Sequence, residues 1–359
     1  MRYIPINFLS ENAELAKTIL GHNGEVLLQS GIKLTPQYIL KLDQLGICGA
    51  YVEDDLSEGI EITSAISEEL RSECIKRVSM IYNSPAPKNN AESRANTNKM
   101  SIIAEQIVDE ILLRKDSVLN LIDIKTYDTY TYFHSVNVAV LSVLIGVGMD
   151  ITRKNLVELA YSSLMHDIGK IFISNDIINK PGKLTDDEYA ILKNHSQDGY
   201  DHIRKTFKIP ERVARGVVDH HEKVDGTGYP SGKKSGEISL FGRIVSVADV
   251  YDALVSDRPY RNGIFPVEAL EYIHGGVGVS FDYDVVLTFS KYVAPFPIGT
   301  CIMLSDGSSG IVEKNIDHLP LRPLIRVFKN PKGEPITQPY SLDLSESCFS
   351  LTIVKTLRM

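Results

Sequence analysis

The stretch His220-His221-Glu222-Lys223-Val224-Asp225-Gly226-Thr227-Gly228-Tyr229-Pro230 constrains this chain more than any other. Two adjacent histidines and an acid are followed by turn formers that end in proline. Such a run breaks a helix and lets backbone approach a ligand closely. Neighbouring residues on a helix point about 100° apart. Read on a helix, His220 and His221 each reach a different ion instead of chelating one. The stretch therefore reads as one wall of a two-metal site with a substrate loop attached. The rest of the chain has to supply the other ligands.

Composition narrows the class. The 359 residues suggest two or three domains. A hydrophobic share of 43% with 23% charged residues is that of a soluble globular protein. The net charge of −8 argues against a broad nucleic-acid surface, which needs clustered Lys and Arg. It leaves room for a local basic pocket that takes a small phosphate ligand. Cys48, Cys74, Cys301 and Cys348 have no CxxC spacing and read as reduced thiols of a cytoplasmic protein. The start of the chain carries no signal-peptide pattern. The longest apolar run, Val136 to Met149, is shorter than the roughly 20 residues that span a bilayer, so it reads as a buried core helix.

The patterning predicts a mainly α protein in four parts. Residues 1–60 form a small α+β module, with a hairpin at Asn23-Gly24, a helix opened by Thr35-Pro36 and a strand over Ile47 to Val52. Residues 61–115 form a helical connector, broken by the Pro-rich segment Asn83 to Asn90. Its second helix starts near Lys99 and carries Ile102, Ile103, Ile107, Ile111 and Leu112 on one stripe. This pair of helices offers a connection to the next domain or a homodimer contact. Residues 116–294 are strongly helical, and residues 295–359 alternate like strands of a β-rich appendage.

Chemistry-bearing residues fall on the helices of the third part. His134 lies on Tyr130 to Gly146, and His166-Asp167 follows Thr152 to Met165. The capping box Thr185-Asp186-Asp187-Glu188 opens a helix that carries His195. Val213 to Glu222 carries the histidine pair, and Leu240 to Leu254 carries Asp249 and Asp252. Imidazole and carboxylate suit divalent transition ions. No cysteine is near, which disfavours thiolate zinc and iron–sulfur chemistry. Five histidines and two aspartates exceed what one ion binds while keeping a position open, and they are about right for two. A carboxylate can bridge two such ions roughly 3.5–4 Å apart, and a bridging water then becomes a strong nucleophile. Taken singly, each residue has a bland reading as a core histidine or a local cap, as His202 and His274 do. Five of the nine histidines share this pattern, which makes coincidence a poor account of it.

His166-Asp167 together with His220 to Pro230 resembles the HD-GYP subgroup of the HD phosphohydrolase superfamily. Lys180-Pro181-Gly182-Lys183-Leu184-Thr185, Val247 to Leu254 and Arg258-Pro259-Tyr260-Arg261 extend the likeness over residues 115 to 290. The resemblance implies an all-helical catalytic domain that hydrolyses cyclic di-GMP to linear pGpG or on to GMP, with cyclic GMP-AMP as an alternative substrate. A cyclic-dinucleotide-binding regulator with little turnover is the other alternative. The resemblance makes His134, His166, Asp167, His195, His220, His221 and Asp249 the metal ligands, with Asp167 bridging and iron or manganese as the ions. Lys170 would contact the scissile phosphate and help the leaving oxygen. Asp252, Arg258 and Arg261 would line the substrate site, with Asp225, Gly226 and Tyr229 in the loop beside it. Some members hold a third ion through a glutamate one turn before the first histidine. Here that position is Tyr130, so two ions are expected.

Overall fold

The computed structural model describes residues 1–84, 89–114, 131–180, 182–256, 263–316, 319–346 and 350–358. Pro85 to Lys88 of the proposed break, Tyr130, Pro181, Arg258, Arg261, His318 and Cys348 lie outside the described residues.

The N-terminal part is a small α+β unit. Strands β1 (Arg2–Pro5), β2 (Glu14–Leu15) and β5 (Gly49–Glu53) form an antiparallel sheet in the order β1-β5-β2. Strands β3 (Ile19–Leu20) and β4 (Val26–Leu28) form the expected hairpin. Helix α1 (Pro36–Gln44) starts at the Thr35 cap, with proline at its first position. Leu15, Leu34, Leu42, Ile47 and Val52 close a core of this unit's own.

Helices α2 (Glu68–Tyr82) and α3 (Asn90–Leu113) form a hairpin. The backbone N–H and hydroxyl of Ser67, at the start of α2, both reach the carboxylate of Glu110 near the end of α3. Helix α3 begins nine residues before Lys99, because the Asn89 side chain caps it by accepting from the N–H groups of Ala91 and Glu92. Of its apolar stripe, Ile103, Ile107 and Ile111 are buried within the chain's main core with Leu112 packed against it, while Ile102 is exposed.

That core is built around α4 (Thr131–Gly148), which is buried continuously from Phe133 to Val147. A helix apolar on every side is stable only when other elements surround it. Helices α2, α3, α5 (Arg153–Leu164), α10 (Leu240–Val255) and α12 (Tyr283–Phe289) do so. Between α5 and α10 run a 3-10 turn (Ile168–Phe172), α6 (Asn175–Ile178), α7 (Asp186–Lys193), α8 (His195–Thr206) and α9 (Glu211–Asp219), with α11 (Pro266–Gly275) before α12. The Thr185–Glu188 capping box is present. No helix among the described residues is long and apolar enough to cross a membrane.

The C-terminal part is an antiparallel sheet in the order β10-β6-β7-β8-β9. Its strands are β6 (Cys301–Leu304), β7 (Ser309–Lys314), β8 (Leu324–Lys329), β9 (Pro335–Asp343) and β10 (Ile353–Leu357). It packs on the N-terminal unit, where Ile60 meets Cys301, Ile311 and Phe328, and Arg326 donates to the Glu58 carbonyl.

Candidate metal centre

Helix ends set the geometry of the site. Helix α5 stops at Leu164, and His166-Asp167 follow on the turn that leads into Ile168–Phe172. Helix α7 stops at Lys193, and His195 opens α8; the sequence reading carried one helix through both, and the chain instead breaks at Asn194. Helix α9 stops at Asp219, so His220 is its C-terminal cap and His221 lies beyond it. His134 comes from the first turn of α4, and Asp249 from the middle of α10.

Three of these histidines are anchored in the same way. Nδ1 of His166 donates to the Ser163 carbonyl at 2.7 Å, that of His195 to Leu192 at 2.7 Å and that of His220 to Val217 at 2.6 Å. A carbonyl oxygen only accepts, so Nδ1 must carry the proton and Nε2 is left with a free lone pair. Nε2 of His195 and Nε2 of His220 face each other at 3.4 Å. Nε2 of His166 is buried without a hydrogen-bond partner. Facing lone pairs and a buried orphan nitrogen are what a bound cation would satisfy.

The two carboxylates lie among these nitrogens. Asp167 Oδ1 is 3.4 Å from His195 Nε2, while its Oδ2 is 3.4 Å from His166 Nε2 and 4.0 Å from His134 Nε2. Asp249 Oδ1 is 3.0 Å from His134 Nε2 and 3.9 Å from His166 Nε2. Three groups of ligand atoms, each within 4.8 Å of one another, could hold a metal ion: Asp167 with His195, His220 and His221; His134 with His166 and Asp167; and His166 with His220 and Asp249. Asp167 belongs to two of them, one through each side of its carboxylate.

The structure changes the helical placement expected for His220 and His221. The helix ends before them and their ring centroids are 4.0 Å apart. Both fall in one group with Asp167 and His195, while His220 also falls in a group with His166 and Asp249 that leaves His221 out.

Electrostatics follow burial and these pairings. Burial opposes ionisation of Asp167, but Lys170, whose Nζ is 2.5 Å from Oδ2, and the adjacent His166 outweigh it and hold the carboxyl well below its usual range. Burial likewise opposes Asp249, but His134 keeps it ionised. Burial lowers His195 and His220, and pushes His221 down to about 3, so these three imidazoles stay neutral. His134 is the exception. Burial works against its charge, yet Asp249 and Asp252 on its two nitrogens raise it to about 10.

Asp252 was expected to line the substrate site. It is instead fully buried behind His134, accepting from His134 Nδ1 at 2.7 Å and from Asn137 Nδ2 at 3.0 Å. An i,i+3 step from Asp249 brings it to the same face of α10, against α4. Lys170, 29% exposed, stands at the edge of the cluster. In the signature loop the Tyr229 ring stacks on His221 at 4.7 Å. Lys193 Nζ lies 5.9 Å from the Tyr229 ring centroid and 4.9 Å from that of Tyr189. The Asp225 carboxylate turns back to accept from the N–H and hydroxyl of Thr227. Gly226 takes a positive φ of 85° beneath the Lys234 side chain.

Two acids that sequence reasoning left without a role hold this loop. Buried Glu222 accepts from the N–H groups of Ser231 and Lys233, and buried Asp219 takes Lys233 Nζ and the Ser239 N–H. Their position beside the histidine pair was visible, but which backbone groups they satisfy depends on the path of the loop. Glu222→Ala leaves two donors without their acceptor. Ser231 is exposed and Lys233 half-buried, so water can replace part of what is lost, and the expected cost is about 1–3 kcal/mol in all. Thermal denaturation should show it, with faster proteolytic nicking between 223 and 233; an unchanged melt and nicking rate would rule the anchor role out.

A helical fold that gathers five imidazoles and two carboxylates around a buried point defines the class, a helical protein with a residue cluster that could hold metal ions. Residues 117–285 match the HD domain family, and residues 301–359 match a KOW domain associated with HD domains. Residues 117–285 are thus an HD domain. It is similar to a cyclic di-GMP phosphodiesterase of Pseudomonas aeruginosa, 35% identical over 67% of this chain and 58% of that protein. It is 36% identical to a cyclic di-GMP phosphodiesterase of Thermotoga maritima over 51% of this chain and 50% of that one. A 3′3′-cGAMP-specific phosphodiesterase of Vibrio cholerae is 36% identical over 47% of this chain and 36% of its own length. The chain thus spans between about a third and three fifths of these relatives. Among solved structures, an HDG"Y"P protein of Bdellovibrio bacteriovorus has the same fold, with a TM-score of 0.54 at 16% identity over 80% of this chain and 97% of that one.

Proposed function

We propose that the chain is a metal-dependent phosphodiesterase that hydrolyses cyclic di-GMP to linear pGpG or GMP. The observation that carries this reading is the double membership of Asp167 in two ligand groups, with imidazoles converging on each. His134, His166, Asp167, His195, His220, His221 and Asp249 would hold two divalent ions, iron or manganese. Such ions supply a water of lowered pKa and neutralise charge at phosphorus.

The chain's own residues do the rest. Lys170 sits where its ammonium can leave Asp167 for a phosphate oxygen and protonate the departing 3′ oxygen. Tyr229, braced on His221, offers a ring face to a guanine, with Tyr189 and Lys193 beside it. Arg258 and Arg261 are proposed phosphate contacts on the strength of the sequence motif. The test is turnover of cyclic di-GMP by protein purified without oxygen, with metal content measured on the same sample. Absence of linear or mononucleotide product from metal-loaded protein would refute the reading. Relatives named for 3′3′-cGAMP favour one second reading, so that dinucleotide belongs in the same assay.

Metal loading has a proton signature. A histidine ligand must be neutral at the coordinating nitrogen. Below about pH 10 the metal-free His134 is charged, whereas His195, His220 and His221 are already neutral near pH 8. Loading at pH 8 should therefore release one proton from His134, in addition to any lost by metal-bound water, and the His134 part should vanish as pH rises through its value. Calorimetry in buffers of different ionisation enthalpy reads this directly; a release that does not fall by about one proton over that rise would contradict it.

A further inference from the structure

We propose that Arg71, on α2, is a positioning residue for the metal centre, acting through Asn137 and Asp252 on His134. This rests on the two-ion reading of the site. Arg71 lies outside residues 117–285, the part of the chain that matches the HD domain family.

Two i,i+3 pairs face each other across α4 and α10: His134 with Asn137, and Asp249 with Asp252. Arg71 Nη1 donates to Asn137 Oδ1 at 2.6 Å. Asn137 Nδ2 donates to Asp252 Oδ1 at 3.0 Å, and Asp252 Oδ2 accepts from His134 Nδ1 at 2.7 Å. The polarity of this chain is fixed. A guanidinium cannot accept, so Arg71 obliges the Asn137 amide to present its oxygen to α2 and its NH2 group to Asp252. The opposite amide orientation would set a carbonyl oxygen against a buried carboxylate, in a place where Asn137 and Asp252 have almost no access to water. With one oxygen of Asp252 held by Asn137, the other is aimed at His134 Nδ1, which points Nε2 into the metal centre. Outer partners that orient a ligating histidine are worth 10–100-fold in metal affinity.

Helix α2 also carries the N-terminal unit. Ser72 donates to the Gly24 carbonyl at 2.7 Å and Ser79 to Asn23 Oδ1 at 2.9 Å, which seats the tip of the β3–β4 hairpin on the helix that bears Arg71. The relay thus joins that unit to one metal ligand.

The test is titration of the full-length metal-free chain with Mn2+, followed by calorimetry and by metal analysis after dialysis. Arg71→Met keeps the aliphatic stem and removes the donor. One of the two ions is expected to bind about tenfold more weakly, with the other unchanged. Arg71→Lys restores a cationic donor and is expected to recover most of the loss, which separates positioning from failure to fold. Arg71→Met combined with Asn137→Ala is expected to bind no more weakly than Asn137→Ala alone, because both act through one chain of contacts. Two ions bound by wild type and by Arg71→Met with the same affinities would overturn the relay and leave the two-ion reading standing. So would losses that add up in the double variant. A wild-type chain that takes up no ion would overturn the two-ion reading, and the relay with it.

Discussion

Asp167→Ala is expected, on the proposed two-ion reading, to cost the chain both ions together. Its carboxylate is the element shared by two ligand groups, with one oxygen toward His195 and the other toward His166 and His134. Removing it takes a ligand from each group and deprives Lys170 of the carboxylate it pairs with. The loss of metal affinity should exceed the roughly 10–100-fold that follows loss of an outer-shell partner, because a direct ligand is removed. Turnover should fall with it. Asp167→Asn separates charge from shape, since it keeps one acceptor oxygen and the side-chain volume. Measured on one sample, metal content and turnover should drop in step; a variant that keeps two ions and full turnover would show that the shared carboxylate is dispensable.

Gly169→Ala is expected to have the next largest effect, with no change in any ligand. A Cβ at position 169 would lie 1.9 Å from the carbonyl oxygen of His195 and 2.6 Å from the backbone nitrogen of Gly199. Both obstacles are main chain, so no side chain can swing aside. The turn bearing Asp167 and Lys170 would have to back away from α8, which bears His195. Overpacking of a tight interior costs about 1–3 kcal/mol, occasionally more, and a backbone obstacle puts this site at the upper end. The melting temperature should fall by roughly 6–12 °C, at about 2–4 °C per kcal/mol for a domain of this size. Metal affinity should fall as well, because the two ligands are driven apart. An alanine variant with unaltered melting and metal content would mean that the close approach of turn and helix is not needed.

Much of this was legible in the chain. The capping box at Thr185, the Asn23-Gly24 hairpin and the apolar run of α4 are local patterns, and local patterns survive folding. The cluster was legible because seven residues of unusual type recur at motif spacing, and the structure brings His134, His166, Asp167, His195, His220, His221 and Asp249 to one place. Helix ends were harder. Asn194 and Asp219 terminate α7 and α9 without a glycine or proline at the break, so periodicity ran through both and gave the histidine pair helical geometry. The start of α3 was missed because its first two turns are polar, and only the Asn89 cap marks them. Asp252 was misplaced for another reason. Whether a carboxylate faces solvent or the back of a histidine depends on how α4 meets α10, and that crossing is set by packing between residues more than a hundred positions apart.

The carbonyls that anchor His166, His195 and His220 belong to Ser163, Leu192 and Val217, in the last turns of α5, α7 and α9. A helix presents the negative end of its dipole at its C-terminus, equivalent to about half an elementary charge. Three such ends and two ionised carboxylates converge on one dry point, against the ammonium of Lys170 and the charged imidazole of His134. The metal-free site therefore favours cations over anions. On the proposed reading, a substrate with two phosphates is expected to bind the metal-loaded chain and not the metal-free one, which makes loading and substrate capture ordered events. Equilibrium dialysis of a cyclic dinucleotide against metal-free and metal-loaded chain would display that order directly.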